Sequence, residues 1–174
     1  GCTVVYATSE PSEALLLSGH TATLHEGRIT QYGETARVYR QPADLRSARV
    51  FSDPPINTAR VTKTGDRFNL DERAGWQAEG PRKALQDGSY IVAVRPHNVS
   101  LVKSGHHSIR VEGKVLVTEL SGSESIVHFD VDGQTWISQS HGVHALQTGS
   151  ASGFFIDVDQ CLYFSVDDEM IAGC

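Results

Sequence analysis

The chain has 174 residues, 39% of them hydrophobic, which is enough apolar material for one packed domain or slightly more. Its net charge is −6 and its 15 basic residues are scattered, so it lacks the concentrated basic face of a nucleic-acid-binding protein. No apolar run approaches the ~20 residues of a membrane-spanning helix, and no charged-then-apolar secretion signal opens the sequence.

The cysteine count favours a reducing compartment. Cys2, Cys161 and Cys174 are an odd set without C-x-x-C spacing, which predicts neither a disulfide framework nor a zinc site. Cys161 lies among apolar residues and is predicted to be a core thiol.

The first fifty residues predict a small α/β unit. The run Val4-Val5-Tyr6 is typical of a buried strand. Ser9 is a predicted N-cap and Pro11 lies in the first turn of a helix whose body is residues 12–17. The unit continues with two short strands joined by a tight turn and then two short helices, predicted at residues 21–24, 28–32, 34–40 and 43–52.

Asp53-Pro54-Pro55 ends the last of these helices, because proline cannot continue a helix. Short apolar runs separated by turn signals follow, and they predict a small antiparallel barrel or sandwich. Asp132-Gly133 is the clearest hairpin signal, and residues 71–77 are predicted to be a loop. Lys103-Ser104-Gly105 is another predicted turn. The predicted strands are residues 59–63, 67–70, 90–95, 99–102, 110–120, 125–131, 135–139, 153–158 and 160–166.

Residues 3–57 resemble the end of the nucleotide-binding domain of ABC importer ATPases of the maltose and sugar type. The family pattern T-V-x-Y-V-T-H-D-Q-x-E-A corresponds to residues 3–14, and the strand ending G-x-x-x-Q-x-G corresponds to residues 27–33. The helix ending Y-x-x-P corresponds to residues 39–42. Residues 53–57, with the sequence DPPIN, resemble the exit from the ATPase domain.

The second half resembles the regulatory domain of the same family. The I-R-P-E-x-I marker corresponds to residues 94–99, the strand with E-x-L-G-x-E to residues 117–124, and the L-F pair to residues 161–164. The resemblance implies a mainly β fold. Residues 56–174 would form an antiparallel TOBE β-barrel of the oligonucleotide-binding type, preceded by an α/β remnant of the nucleotide-binding domain at residues 1–55.

Parts of the ATPase machinery are missing from the sequence. There is no G-x-x-x-x-G-K-[ST] phosphate loop and no acidic pair to hold magnesium. Leu17-Ser18-Gly19-His20 begins like the L-S-G-G-Q signature but follows the wrong elements, so it is interpreted as a helix exit. We therefore predict that this chain binds no cofactor and does not hydrolyse ATP by itself. The resemblance implies ATP and magnesium in the full-length subunit.

One catalytic position of the family falls within the chain. The switch histidine that contacts the γ-phosphate corresponds to Ser9, which can donate a hydrogen bond but cannot carry the positive charge of an imidazolium. Ser9 as a helix cap is the simpler interpretation. Glu10, in the acidic position that follows, is expected to stabilise the helix terminus.

The resemblance implies a regulatory and dimerisation module of an importer for sugars, polyols or glycerol phosphate. The expected partners are a second copy of the chain and, through the full-length ATPase domain, membrane-embedded permease subunits. The location would be the cytoplasmic face of the membrane, and no nucleic acid is expected. A dimer needs an apolar, self-complementary patch, for which Val117, Leu120 and Phe129 are candidates.

Four other functions have candidate residues in the sequence. Ser121-Gly122-Ser123 could offer donors to a small oxyanion in a ligand-sensing barrel, or could simply form a tight turn. A metal site at His106-His107 or at His141 and His144 lacks further ligands, and an independent Ser/His/Asp enzyme lacks a supporting motif. A base-stacking face is less favoured than core packing or a subunit interface for Trp76, Phe129, Trp136, Tyr163 and Phe164.

Overall fold

An α/β unit occupies the first fifty residues of the computed structural model, which describes residues 1–72, 74–103 and 106–173. Its elements are α1 (Pro11–Leu17), β1 (His20–His25), β2 (Arg28–Glu34), α2 (Thr35–Arg40) and α3 (Leu45–Val50). The predicted hairpin is confirmed: β1 and β2 pair antiparallel around Glu26-Gly27, both at positive φ. Both helices predicted after the hairpin are also present.

Two predictions at the start of the chain are wrong. Val4-Val5-Tyr6 forms no strand, and Val4 and Val5 are 78% and 93% exposed. Among the described residues no strand runs beside this segment, so its backbone lacks the ladder that would make it a strand. Ser9 does not cap α1, because the helix begins one residue later with Glu10 at the N-cap. Pro11 does lie in the first turn, as predicted.

Two antiparallel sheets form the remainder and make a nearly closed barrel, which confirms the predicted mainly β class. One sheet has the order β13-β12-β6-β3-β4-β5 and the other β10-β9-β8-β11-β7. The strands are β3 (Asn57–Thr64), β4 (Arg67–Asn69), β5 (Gly75–Gln77), β6 (Gly88–Val94), β7 (Val99–Ser100), β8 (Ser108–Leu120), β9 (Glu124–Val131), β10 (Gln134–His141), β11 (Ala151–Asp157), β12 (Leu162–Phe164) and β13 (Met170–Ala172).

Strand β5 corrects the predicted loop at residues 71–77. Trp76 pairs with Phe68 of β4, and their rings stack with centroids 5.7 Å apart. This contact, rather than any local pattern, makes the segment a strand. Arg73 of that predicted loop, Ser104 and Gly105 of the predicted turn, and Cys174 lie outside the described residues.

The core lies between the two sheets. Phe129 of β9 is fully buried and stacks on Phe154 of β11, with ring centroids 3.6 Å apart. Cys161 is buried there too, as predicted. Asn57 ties the sheets together: its side-chain amide donates to the carbonyl of Ile137 at 2.7 Å and accepts from the Ile137 N–H at 2.6 Å.

The helical unit packs on the outside of the six-stranded sheet. Leu45 and Ala48 of α3 form a second apolar cluster with Ile56, which directly precedes β3, and with the sheet residues Ala93, Leu162 and Phe164. No helix among the described residues is long and apolar enough to cross a membrane. The division into residues 1–55 and 56–174 stays a prediction, and α3 contacts both sides of it.

The hairpin at Asp132-Gly133 joins β9 to β10 as predicted, with φ of +50° and +83°. A Cβ on Gly133 would meet open space, so only backbone strain opposes a side chain there. We expect Gly133→Ala to lower the free energy of unfolding by about 1 kcal/mol, measured by urea denaturation. Asp132→Gly relieves backbone strain at the neighbouring position and should lower the free energy of unfolding by less. Equal losses in the two variants would contradict the assignment of strain to Gly133→Ala.

Candidate functional site

The switch position lies near a cleft between α1 and the barrel. Ser9 is exposed and precedes α1. The cleft has a volume of about 230 Å³ and is lined by Leu15 of α1 on one side and by Arg95 and His97 on the other. The structure therefore brings the end of the predicted switch segment, residues 3–14, close to residues 94–99, the predicted regulatory-domain marker.

Arg95 joins the two parts of the molecule at this cleft. Its side chain is almost fully buried, its guanidinium lies 3.8 Å above the Tyr39 ring, and Nη2 donates to the Tyr39 carbonyl at 2.6 Å. Burial, and then the nearby charge of Arg95, lower the pKa of His97. A positive charge is thus held permanently where α2 meets the end of β6.

The predicted oxyanion turn is a tight connection between β8 and β9. The Ser121 N–H donates to the Glu124 carbonyl at 2.9 Å, and the Ser123 carbonyl accepts from Gly142 at 2.8 Å. Gly122 has φ +82°. Because the Ser121 N–H and the Ser121 hydroxyl both donate to the Glu124 carbonyl, at 2.9 and 3.4 Å, the geometry favours a turn. Oxyanion binding at Ser121-Gly122-Ser123 stays a prediction.

The predicted dimer residues do not share one exposed surface, because Val117 lies on the face of the sheet opposite to Phe129, whereas Leu120 lies on the same face near the end of β8. Val117 and Leu120 are 48% and 52% exposed on β8, whereas Phe129 is 0% exposed. A β-bulge between Val115 and Val117 interrupts the register with β9, and bulges bend a strand locally. A fully buried side chain cannot contact a second copy, so Phe129 is removed from the candidate interface and assigned to the core.

The histidines pair with other protein groups. His107 contacts Asp159 and Glu79, and His144 Nε2 lies 2.9 Å from the His141 carbonyl. Within the described ranges, no three His, Cys, Asp or Glu side chains converge as metal ligands. The aromatic residues weighed as a stacking face, Trp76, Phe129, Trp136, Tyr163 and Phe164, are all buried.

The chain is similar to known proteins over almost its whole length. A model of the TOBE domain matches residues 92–164. The oligosaccharides import ATP-binding protein MsmX of Bacillus subtilis is 24% identical, over 97% of this chain and 48% of that protein. The chain is a relative of ABC importer ATP-binding subunits.

Two other relatives are also named as import ATP-binding proteins. The maltose/maltodextrin import ATP-binding protein MalK of Vibrio cholerae is 25% identical, over 96% of this chain and 46% of that protein. The sn-glycerol-3-phosphate import ATP-binding protein UgpC 2 of Rhizobium johnstonii is 28% identical, over 75% of this chain and 34% of that protein. The chain spans about half the length of the first of these ABC importer subunits.

Sequence reasoning missed the contact between Arg95 and Tyr39. Arg95 was visible as part of the regulatory-domain marker, and Tyr39 as part of the Y-x-x-P helix end. The two residues are 56 positions apart, and no local pattern indicates that they meet.

Proposed function

We propose that this chain is the regulatory and dimerisation portion of the ATP-binding subunit of an ABC importer. The observation that carries the proposal is continuous similarity to such subunits over 97% of the chain, with a TOBE match at residues 92–164. The named relatives import oligosaccharides, maltodextrin and glycerol phosphate, so a sugar, polyol or glycerol phosphate is the proposed cargo of the full-length transporter.

In this proposal ATP and magnesium act in the full-length subunit and not in this portion. Residues 1–55 would be the end of the nucleotide-binding domain and residues 56–174 the regulatory domain. The first of these carries large exposed apolar side chains, including Leu16 at 85%, Leu24 at 64% and Tyr32 at 68%. We propose that this apolar surface contacts the rest of the nucleotide-binding domain.

The proposed assembly places the subunit on the cytoplasmic face of the membrane, where the nucleotide-binding domain contacts the permease subunits. The barrel would hold two ATP-binding subunits together while their nucleotide-binding domains separate. Val117 and Leu120 are the proposed interface residues, because both are exposed apolar residues of β8. They are three positions apart and lie on opposite faces of the strand, so an isologous dimer would have to contact both faces of this end of β8.

The dimer is tested by sedimentation of the chain and of a Val117→Glu, Leu120→Glu variant. We expect a wild-type dimer and a dissociation constant raised at least tenfold in the variant, since two buried charges without partners oppose association. Val166→Glu is the matched control, because Val166 is 49% exposed but lies beyond β12.

The control should dimerise as the wild type does, and thermal unfolding should confirm that all variants fold. A wild-type chain that stays monomeric would contradict the dimerisation role. Equal weakening by Val166→Glu would show that the interface lies elsewhere.

A further inference from the structure

A second cleft lies at the end of the six-stranded sheet formed by β4 and β5. It has a volume of about 320 Å³ and runs between β5, the start of β8 and two 3₁₀ turns, Gly80–Ala84 and Val158–Gln160. Its lining includes Trp76, Gln77, Glu79, Arg82, His107 and Asp159.

One wall of this cleft is a network of polar side chains. His107 Nδ1 lies 2.9 Å from Asp159 Oδ2, and His107 Nε2 lies 3.4 Å from Glu79 Oε1. The hydrogen bond and charge of Asp159, followed by the charge of Glu79, raise the pKa of His107. The wall therefore joins both 3₁₀ turns to the segment before β8.

Arg82 holds the same wall in place. Its Nη1 donates to the Val158 carbonyl at 3.0 Å, and its guanidinium lies 5.6 Å above the Tyr163 ring. The Tyr163 hydroxyl in turn accepts from the indole N–H of Trp76 at 2.8 Å. Because these groups are held by one another before any ligand arrives, a ligand would lose little free energy in ordering them.

The charges of the cleft favour an uncharged ligand. Two guanidinium groups, from Arg67 and Arg82, and two imidazoles, from His106 and His107, line the cleft together with the carboxylates of Glu79 and Asp159. Because Arg82 and His107 already pair with these carboxylates, a charged ligand would have to displace an existing ion pair. A hydroxyl group can donate to a carboxylate and accept from a guanidinium, so it suits both kinds of partner.

The size of the cleft limits the ligand further. Pockets for small molecules have volumes of roughly 300–1,000 Å³, and this cleft is at the lower end of that range. Trp76 and Ile109 supply an apolar part of the lining. We propose that the cleft is a binding site for a small neutral polyhydroxylated molecule, no larger than one sugar ring or a short polyol.

This site is separate from the dimer face and needs neither nucleotide nor permease. Its ligand class follows from the balance of donors, acceptors and charge, so it does not depend on the proposed transporter role. Failure to bind a polyol would leave the dimerisation test unaffected, and a monomeric chain could still bind one.

The test titrates the full chain with D-glucose, with myo-inositol and with glycerol. Binding is detected by tryptophan fluorescence and by amide NMR shifts. Trp76 lines the cleft, whereas the only other tryptophan, Trp136, is 2% exposed in the core. We expect saturable binding of at least one probe, with amide shifts confined to the two 3₁₀ turns, β5 and the start of β8.

Two variants assign the binding to the cleft. Gln77→Ala removes an exposed amide from the lining, and Glu79→Gln replaces one carboxylate by an amide of similar shape. Each should raise the dissociation constant roughly tenfold, the effect of losing about one hydrogen bond to the ligand. Gln134→Ala, at an exposed position of β10, is the matched control and should bind as the wild type does.

Three outcomes would overturn the proposal. The first is that none of the probes shows saturable binding, and the second is that both cleft variants bind as tightly as the wild type. The third is that inorganic phosphate binds the cleft more tightly than any polyol does. Unchanged thermal unfolding of Gln77→Ala would exclude loss of fold as the cause of a weaker interaction.

Discussion

Replacement of Phe129 by alanine should lower the free energy of unfolding by about 3–5 kcal/mol, the range measured for deleting a buried aromatic ring. Phe129 is fully buried, stacks on Phe154 and lies 6.5 Å from the Trp136 ring. On the neighbouring strand β8, a Cβ added at Gly113 would come within 2.4 Å of the Phe129 ring, so a glycine at this position makes room for the ring. The resulting cavity would lie between the two sheets, where neither can close it.

Urea denaturation followed by far-UV circular dichroism measures this loss. Phe129→Leu should cost less than Phe129→Ala, because leucine refills part of the volume. Val117→Ala, on the exposed side of neighbouring β8, should change stability by no more than about 0.5 kcal/mol. If Phe129→Ala were as mild as Val117→Ala while dimerisation weakened, Phe129 would belong to an interface after all.

The sequence predicted most of the barrel because its strands depend on local pattern. In β3 the burial alternates along the strand, and such a period of two is visible in the residues themselves. The Asp132-Gly133 turn was predictable for a similar reason, since both positions tolerate positive φ.

The features that sequence reasoning missed depend on distant partners. Strand β5 exists because Trp76 lies beside Phe68, and this pairing brings a polar, aperiodic segment into a sheet. Val4-Val5-Tyr6 shows the reverse case, because a run with strand composition forms no strand and is exposed where no described strand pairs with it. Composition indicates what a segment can form, whereas its partners decide what it forms.

The candidate site was predictable only in part for the same reason. Val117, Leu120 and Phe129 share an apolar character. The register of β8 and β9 places Val117 on the face opposite to Phe129, whereas Leu120 lies on the same face and is exposed at the end of β8. The second cleft could not be predicted, because Glu79, His107 and Asp159 come from three distant parts of the chain.

Replacement of Arg95 by methionine should detach α2 from the barrel at a cost of about 2–5 kcal/mol. This range combines a hydrogen bond from a charged donor, worth about 1.5–3 kcal/mol, with a cation–π contact worth about 0.5–2 kcal/mol. Both are made to Tyr39, whose ring also meets Phe51 edge-on with centroids 6.2 Å apart. Methionine keeps the apolar stem and removes only the guanidinium.

Hydrogen exchange measures where this stability is lost. Amides of α2 and α3 should exchange faster in Arg95→Met, whereas those of β8 and β9 should keep their protection, because the core between the sheets is untouched. Arg110→Met is the control, since Arg110 is 58% exposed and its ion pair with Glu112 lies in solvent. Faster exchange throughout the barrel would mean that Arg95 supports the whole fold, and unchanged exchange in α2 would mean that the contact with Tyr39 does not hold the two parts together. Selective loss in α2 and α3 would identify Arg95 as the link that holds these helices against the barrel.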